Sequence, residues 1–252
     1  MPTDNVIKSV ETSIDIVDAL TEKSPARVGE VAEMTGNSTA NVSKHLNTLR
    51  KHGFVIRDDD GYRLSFRYLD IGGMLRESFT GAQIIKPKIV ELAEKTGEAA
   101  SFLIEENGSA VVLYREVGHQ GVAARSRIGK RLPLHQIAGG KAIMAHMPSE
   151  RVTQIIDQKG LEAATENTIT DESAFREALE NVRERGYAIN DAESTQGLDA
   201  IAAPIRTVSD DIVGACAVSG PTHRLRDDDL RSEITEVLLS FTNEIELNLT
   251  YS

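Results

Sequence analysis

Val10, Ile14, Val17 and Leu20 recur at i, i+4, i+7 and i+10, the spacing of one face of an amphipathic helix. That helix is predicted to stop near Ser24-Pro25. A short second helix is predicted over Val28–Thr35, with Val28, Val31 and Ala32 inward and Gly36 in place for a left-handed cap. Ser38 or Thr39 then caps a third helix reaching about His52. Val42, Leu46 and Leu49 form its buried face and Gly53 ends it. Residues 54–57 and Tyr62–Leu64 flank Asp58-Asp59-Asp60-Gly61 and predict a β-hairpin. Helix, helix, tight turn, helix, hairpin is the order of a winged helix-turn-helix. A small structural helical bundle would show the same stripes.

Residues 67–78 read as a further helix, weakened by Gly72-Gly73. Its Leu69 and Leu75, with Phe79, can pack on the first helix or on a second subunit. Residues 81–86 read as a hinge, and Pro87 starts a helix over 87–95. Strands and helices then alternate. A hairpin is predicted from 99–105 and 110–116 around Glu106-Asn107-Gly108-Ser109, followed by a third strand over 122–128. Helices are predicted at 139–147, 150–158 and 173–185, the last capped by Asp171. A short strand at 187–190 leads to a polar loop, then to a central hairpin from 200–208 and 212–219. Leu230, Ile234, Val237, Leu238, Phe241, Ile245 and Leu249 mark a long amphipathic helix over 228–249. Hairpins mixed with helices indicate an α+β domain with an antiparallel sheet.

The 252 residues, 40% hydrophobic, suit one large domain or two ordinary ones. No apolar run approaches the ~20 residues of a membrane helix, and the first ten residues lack a signal-peptide core. One cysteine, Cys216, rules out an internal disulfide and a cysteine-based zinc site. The expectation is a soluble cytoplasmic protein with no membrane partner. A net charge of −11 argues against a non-specific nucleic-acid binder. Residues 34–57 are a local exception. They contain no Asp or Glu, but carry Lys44, Arg50, Lys51 and Arg57, with His45 and His52.

On the third helix, the side opposite Val42, Leu46 and Leu49 carries Ala40, Asn41, Lys44, Asn47, Thr48 and Lys51, with Ser43 on its flank. Short polar and basic side chains can enter a major groove and donate to bases and phosphates. A solvated face in a chain this acidic should carry carboxylates, so their absence favours DNA reading over the bundle. Ser38, Thr39 and His45 complete the candidate contacts on this helix, and Arg57 and Arg63 are candidates on the hairpin. Three carboxylates at the wing tip conflict with phosphate contact. Either Arg57 and Arg63 meet the DNA backbone or the wing stands off.

Several segments resemble IclR-type transcriptional regulators, in order along nearly the whole chain. They are Lys8-Ser9-Val10-Glu11-Thr12, His45-Leu46, Tyr62-Arg63-Leu64, Pro133-Leu134-His135 with Gly139-Gly140-Lys141-Ala142, residues 197–205 (GLDAIAAPI) and Val218-Ser219-Gly220-Pro221. The resemblance implies a winged-helix DNA-binding domain over 1–66, a linker helix over 67–80 and a GAF-like effector-binding and assembly domain over 81–252. It also implies palindromic double-stranded DNA as partner, and a homodimer or dimer of dimers. The family's effector positions match Asn190, Ala200, Ala217 and Ser219. Members that take small oxo-acids are more polar there. Ala200 and Ala217 depart from that pattern and leave room for an apolar, even aromatic, ligand body.

Other chemistry is weaker. The histidines form no H-x-x-x-H pair, and Gly139-Gly140-Lys141 lacks the rest of a phosphate loop. Cys216, between Ala215 and Ala217, reads as a buried structural thiol. No enzymatic activity, metal or cofactor is expected. Glycines entering a helix leave the N–H groups of Ala138, Gly139 and Gly140 available to a small carboxylate; alternatively, the pair merely permits close packing. His135 either touches a ligand or fixes a turn. The expected function is DNA-binding transcriptional regulation controlled by a small organic acid. The rival is an enzyme or binding module whose N-terminal helices serve assembly alone.

Overall fold

The computed structural model describes residues 6–122 and 126–251. The chain divides into two compact units, Met1–Ser78 and Phe79–Ser252. The first contains α1 (Lys8–Glu22), α2 (Val28–Thr35), α3 (Thr39–Lys51), the antiparallel strands β1 (Val55–Arg57) and β2 (Tyr62–Leu64), and α4 (Arg67–Glu77). Ile16, Leu20, Val31, Val42, Leu46, Val55 and Tyr62 meet in its core, as a winged helix-turn-helix requires. Gly36 ends α2 at φ 64°, and the Ser38 hydroxyl caps α3 by accepting from the Asn41 N–H at 3.3 Å. Ala26 bridges to Tyr62 as a third, one-residue strand. That close approach demands Gly61, because a Cβ there would lie 2.6 Å from the Ala26 carbonyl oxygen.

The inward face of α1 differs from expectation. Thr12, Ile16, Ala19 and Leu20 are buried, whereas Val10 and Ile14 are 52% and 54% exposed. The helix carries apolar residues on two faces, and periodicity alone does not say which one the core takes. α4 continues through Gly72-Gly73 with no residue buried.

The second unit begins with α5 (Ala82–Thr96), which includes the expected hinge. Pro87 lies inside this helix instead of starting it. The helix holds without one backbone donor because Ile85, Ile89 and Leu92 are fully buried. Phe79 packs within this unit, 5.6 Å from the Phe102 ring. Six antiparallel strands follow the spatial order β5 (Arg131–Pro133), β4 (Ser109–Val117), β3 (Ala99–Glu106), β8 (Ile212–Pro221), β7 (Leu198–Arg206) and β6 (Ala188–Asp191). The strand expected over 122–128 is not the third strand. Residues 123–125 lie outside the described residues, their flanks are not strand, and β5 pairs with β4 instead.

Alternation along each strand sends residues to two cores. Phe102, Ile201, Cys216 and Val218 face α5 and α10 (Asp228–Thr250); Leu103, Ala202, Ala215 and Ala217 face α6 (Ala138–Ala145), α7 (Ser149–Lys159) and α8 (Glu172–Arg185). With both faces covered, β7 and β8 read as nearly continuous apolar runs. The face toward α6 is rich in alanine, which lets that helix come close. A single helical turn, α9 (Thr222–Leu225), joins β8 to α10.

Candidate functional sites: an outward polar helix face and a cleft beside α6

The outer side of α3 is exposed at Thr39, Ala40, Lys44, Asn47, Thr48 and Lys51, and half-buried at Asn41 and Ser43. Several polar groups have local partners. Asn41 Nδ2 donates to Asn37 Oδ1 at 3.3 Å, and the Thr48 hydroxyl donates to the Lys44 carbonyl. His45 turns toward α1, where its Nδ1 lies 2.8 Å from the Ser13 hydroxyl. Asp58 builds the wing: it accepts from the N–H groups of Asp60 and Gly61 and pairs with Arg63 Nε at 3.1 Å. That bond from Arg63 holds the Asp58 carboxyl below its ordinary range. The Arg57 guanidinium lies over the Tyr62 ring at 5.5 Å.

A cleft of about 430 Å³ opens between the α6 N-terminus and the sheet. Ala138, Gly139, Asn190, Ala200, Ala217 and Ser219 all line it. Ladder register explains why they meet: Ala200 pairs with both Asn190 and Ser219, and Ala217 pairs with Ser101, another lining residue. Gly140, expected with them, does not line the cleft. A Cβ there would lie 2.1 Å from the Leu134 carbonyl oxygen, so this glycine serves the packing of α6 on the turn before it. Asn190 is buried with both amide ends engaged, donating to the Gln136 carbonyl and accepting from the Glu193 N–H at 3.1 Å. α6 has no side-chain cap, and Ala138 and Gly139 of its first turn line the cleft. Among the described lining residues, Lys130 is the only charged one.

Behind the cleft, Lys141 Nζ and Glu193 Oε1 form an ion pair at 2.5 Å, both residues buried. Burial pushes the Lys141 ammonium below its usual range, against the pull of Glu193. Glu193 Oε2 has no partner. The residue between Asp191 and Glu193, Ala192, adopts φ 59°, strained for a residue with a Cβ. Cys216 is fully buried, which pushes its thiol well up and makes it a poor nucleophile.

Residues 79–247 match the family model described as bacterial transcriptional regulator IclR C-terminal, and residues 11–57 match that of the bacterial regulatory protein, arsR family, a helix-turn-helix. A probable HTH-type transcriptional regulator, ArcR, of Halobacterium salinarum is 31% identical over 96% of this chain and 94% of its own length. The chain belongs to the IclR family. It is a DNA-binding transcriptional regulator with a helix-turn-helix domain followed by an IclR effector domain. The crystal structure of the Thermotoga maritima IclR is 25% identical, with a TM-score of 0.80, over 96% of this chain and 98% of its own. An IclR homologue from Microbacterium hydrocarbonoxydans, solved in complex with 4-hydroxybenzoate, shares the fold. It has a TM-score of 0.81 at 21% identity, over 97% of this chain and all of its own.

Several features of this IclR-family chain escaped sequence reasoning. Ser101, Leu103, Lys130 and Gln136 join the cleft only through sheet register, for which a linear sequence carries no signal. The 194–198 wall was visible as a polar loop before an apolar strand. The buried pair had one mark, a lysine inside the otherwise apolar run AGGKAIMA.

Proposed function

We propose that this regulator binds an inverted-repeat operator as a two-fold dimer, reads it with α3, and responds to a small organic acid held in the cleft beside α6. The carrying observation is the outer face of α3: basic and polar, without a carboxylate, on a chain of net charge −11. Asn47, Lys44, Asn41 and Thr48 lie nearest base edges, and Lys51 meets phosphate. Ser38 and Thr39 offer the helix N-terminus to phosphate, Ala40 and Ser43 flank the contact, and His45 supports it from behind. Because Arg63 is tied to Asp58, the acidic wing tip stands off the DNA and Arg57 is the hairpin's remaining contact. Residues 1–66 read DNA, 67–80 link, and 81–252 bind the effector and assemble.

The dimer reading rests on two exposed apolar stripes in the first unit. α1 shows Val10 and Ile14; α4 and its N-cap show Phe66, Leu69, Met74 and Leu75, at 61–78% exposure. Each such side chain buried contributes roughly 1.5–3 kcal/mol. Covering both stripes across a two-fold pair offsets the ~4–15 kcal/mol lost in translational and rotational freedom. For the effector, the α6 N–H groups and the Ser219 hydroxyl favour a carboxylate, while Ala200 and Ala217 leave space for an apolar body. The relative's 4-hydroxybenzoate is such a ligand. Binding alters operator affinity only through unequal affinity for two domain arrangements. We assign no catalytic role and place the protein in the cytoplasm, with its DNA. Footprinting on the DNA upstream of its own gene, with sizing at micromolar concentration, tests the reading. A dimer and an inverted-repeat footprint are expected. A monomer, or a footprint without inverted symmetry, contradicts it.

A further inference from the structure

We infer a second ligand site in the C-terminal unit, distinct from the effector cleft, for an α-amino acid with an apolar side chain. A neighbouring cleft of about 280 Å³ shares Leu132 and Gln136 with the effector cleft but has different chemistry. His135 lines only this second cleft and is 5% exposed. Its Nε2 lies 2.9 Å from the Glu162 carbonyl oxygen. A carbonyl can only accept, so Nε2–H is the donor of this bond and Nδ1 is left as the ring's acceptor position.

That Nδ1 has no partner, yet it is not sealed in the interior: among the described residues, the sealed side-chain atoms without partners are Glu193 Oε2 and Arg206 Nε. Because His135 lines the cleft, a donor on a ligand bound there can meet it. Three charged residues line the same space. Arg131 is paired with Glu106, which leaves Lys159 and Glu162, of opposite sign. Met144, Ile155 and Leu161 supply an apolar floor. An ammonium group donates to His135 Nδ1 and the Glu162 carboxylate, a carboxylate accepts from Lys159, and an apolar side chain covers the floor. A simple acid would leave the acceptors unmet, and a simple amine would leave Lys159 unmet. None of His135, Lys159 and Glu162 lines the effector cleft.

Leucine is the probe, titrated by calorimetry into the full chain beside 4-methylpentanoate, leucinamide and glycine. One leucine per chain is expected, with each analogue about tenfold or more weaker. Lys159→Ala, at an exposed position, is expected to weaken leucine about tenfold and to erase its advantage over leucinamide. Ala200→Phe, in the effector cleft, is expected to leave leucine binding unchanged. The inference is overturned if leucine fails to bind below about 10 mM, if the analogues match it, or if Lys159→Ala binds it as wild type does. Loss of leucine binding in Ala200→Phe also overturns it, because leucine would then occupy the effector cleft. Failure on leucine with an intact response to acids leaves the operator-and-effector reading standing.

Discussion

α3 and α6 carry the two proposed contacts, and they are built in opposite ways. α3 buries Val42 and Leu46 and shows a polar side to solvent; α6 buries all eight of its residues. The contact proposed for α3 is made by side chains, so the helix can be altered at the surface with little cost to the fold. The contact proposed for α6 is made by backbone, and its glycines, its alanines and one buried lysine let that backbone pack on the sheet. Function and stability are therefore separable on α3 and fused on α6.

Substitutions behind α6 should show this fusion most strongly. Glu193→Ala leaves Lys141 buried without its partner and should cost about 3–5 kcal/mol in urea unfolding. Lys141→Met combined with Glu193→Leu should recover most of that loss. A double variant as unstable as the single one would mean that the pair's charge, and not its burial, holds α6. On α3, Asn47→Ala should weaken operator binding by about 1–3 kcal/mol and relax base preference, with stability changed by less than about 0.5 kcal/mol. Lys51→Ala should weaken all DNA sequences alike and flatten the salt dependence. An Asn47→Ala protein that unfolds early would break the contrast.

Smaller effects sharpen the same comparison. Ser38→Ala removes the α3 cap and should cost about 1 kcal/mol of stability. His146, at the C-terminal end of α6, is held below the usual imidazole value of 6.5, chiefly by burial. The folded state therefore favours its neutral form. Stability from this group is full above that value and falls as pH drops through it. Unfolding midpoints measured from pH 7.5 to pH 5 should decline less in His146→Gln than in wild type.

The contrast also explains what could be read from sequence. The α3 surface was legible because helical phase places side chains directly. The core face of α1 was not, since its apolar residues fall on two sides and only packing chose Ile16 over Val10 and Ile14. Pro87 misled for a related reason: three buried residues outweighed one missing donor. At the cleft, Ala200, Ala217 and Ser219 were reached through family resemblance, and helix capping logic led to Ala138 and Gly139. Ser101 and Lys130 come from other strands and loops, and tertiary register alone brings them there.

Under the proposed function, an acid in the cleft beside α6 controls what α3 does on DNA. The direct measurement is operator affinity, by fluorescence anisotropy, for wild type and Ala200→Phe across a panel of aromatic and aliphatic monocarboxylates that includes 4-hydroxybenzoate. At least one acid is expected to shift wild-type affinity, and Ala200→Phe is expected to bind the operator normally while ignoring that acid. If no acid shifts the wild type, or if Ala200→Phe responds as the wild type does, the account is contradicted.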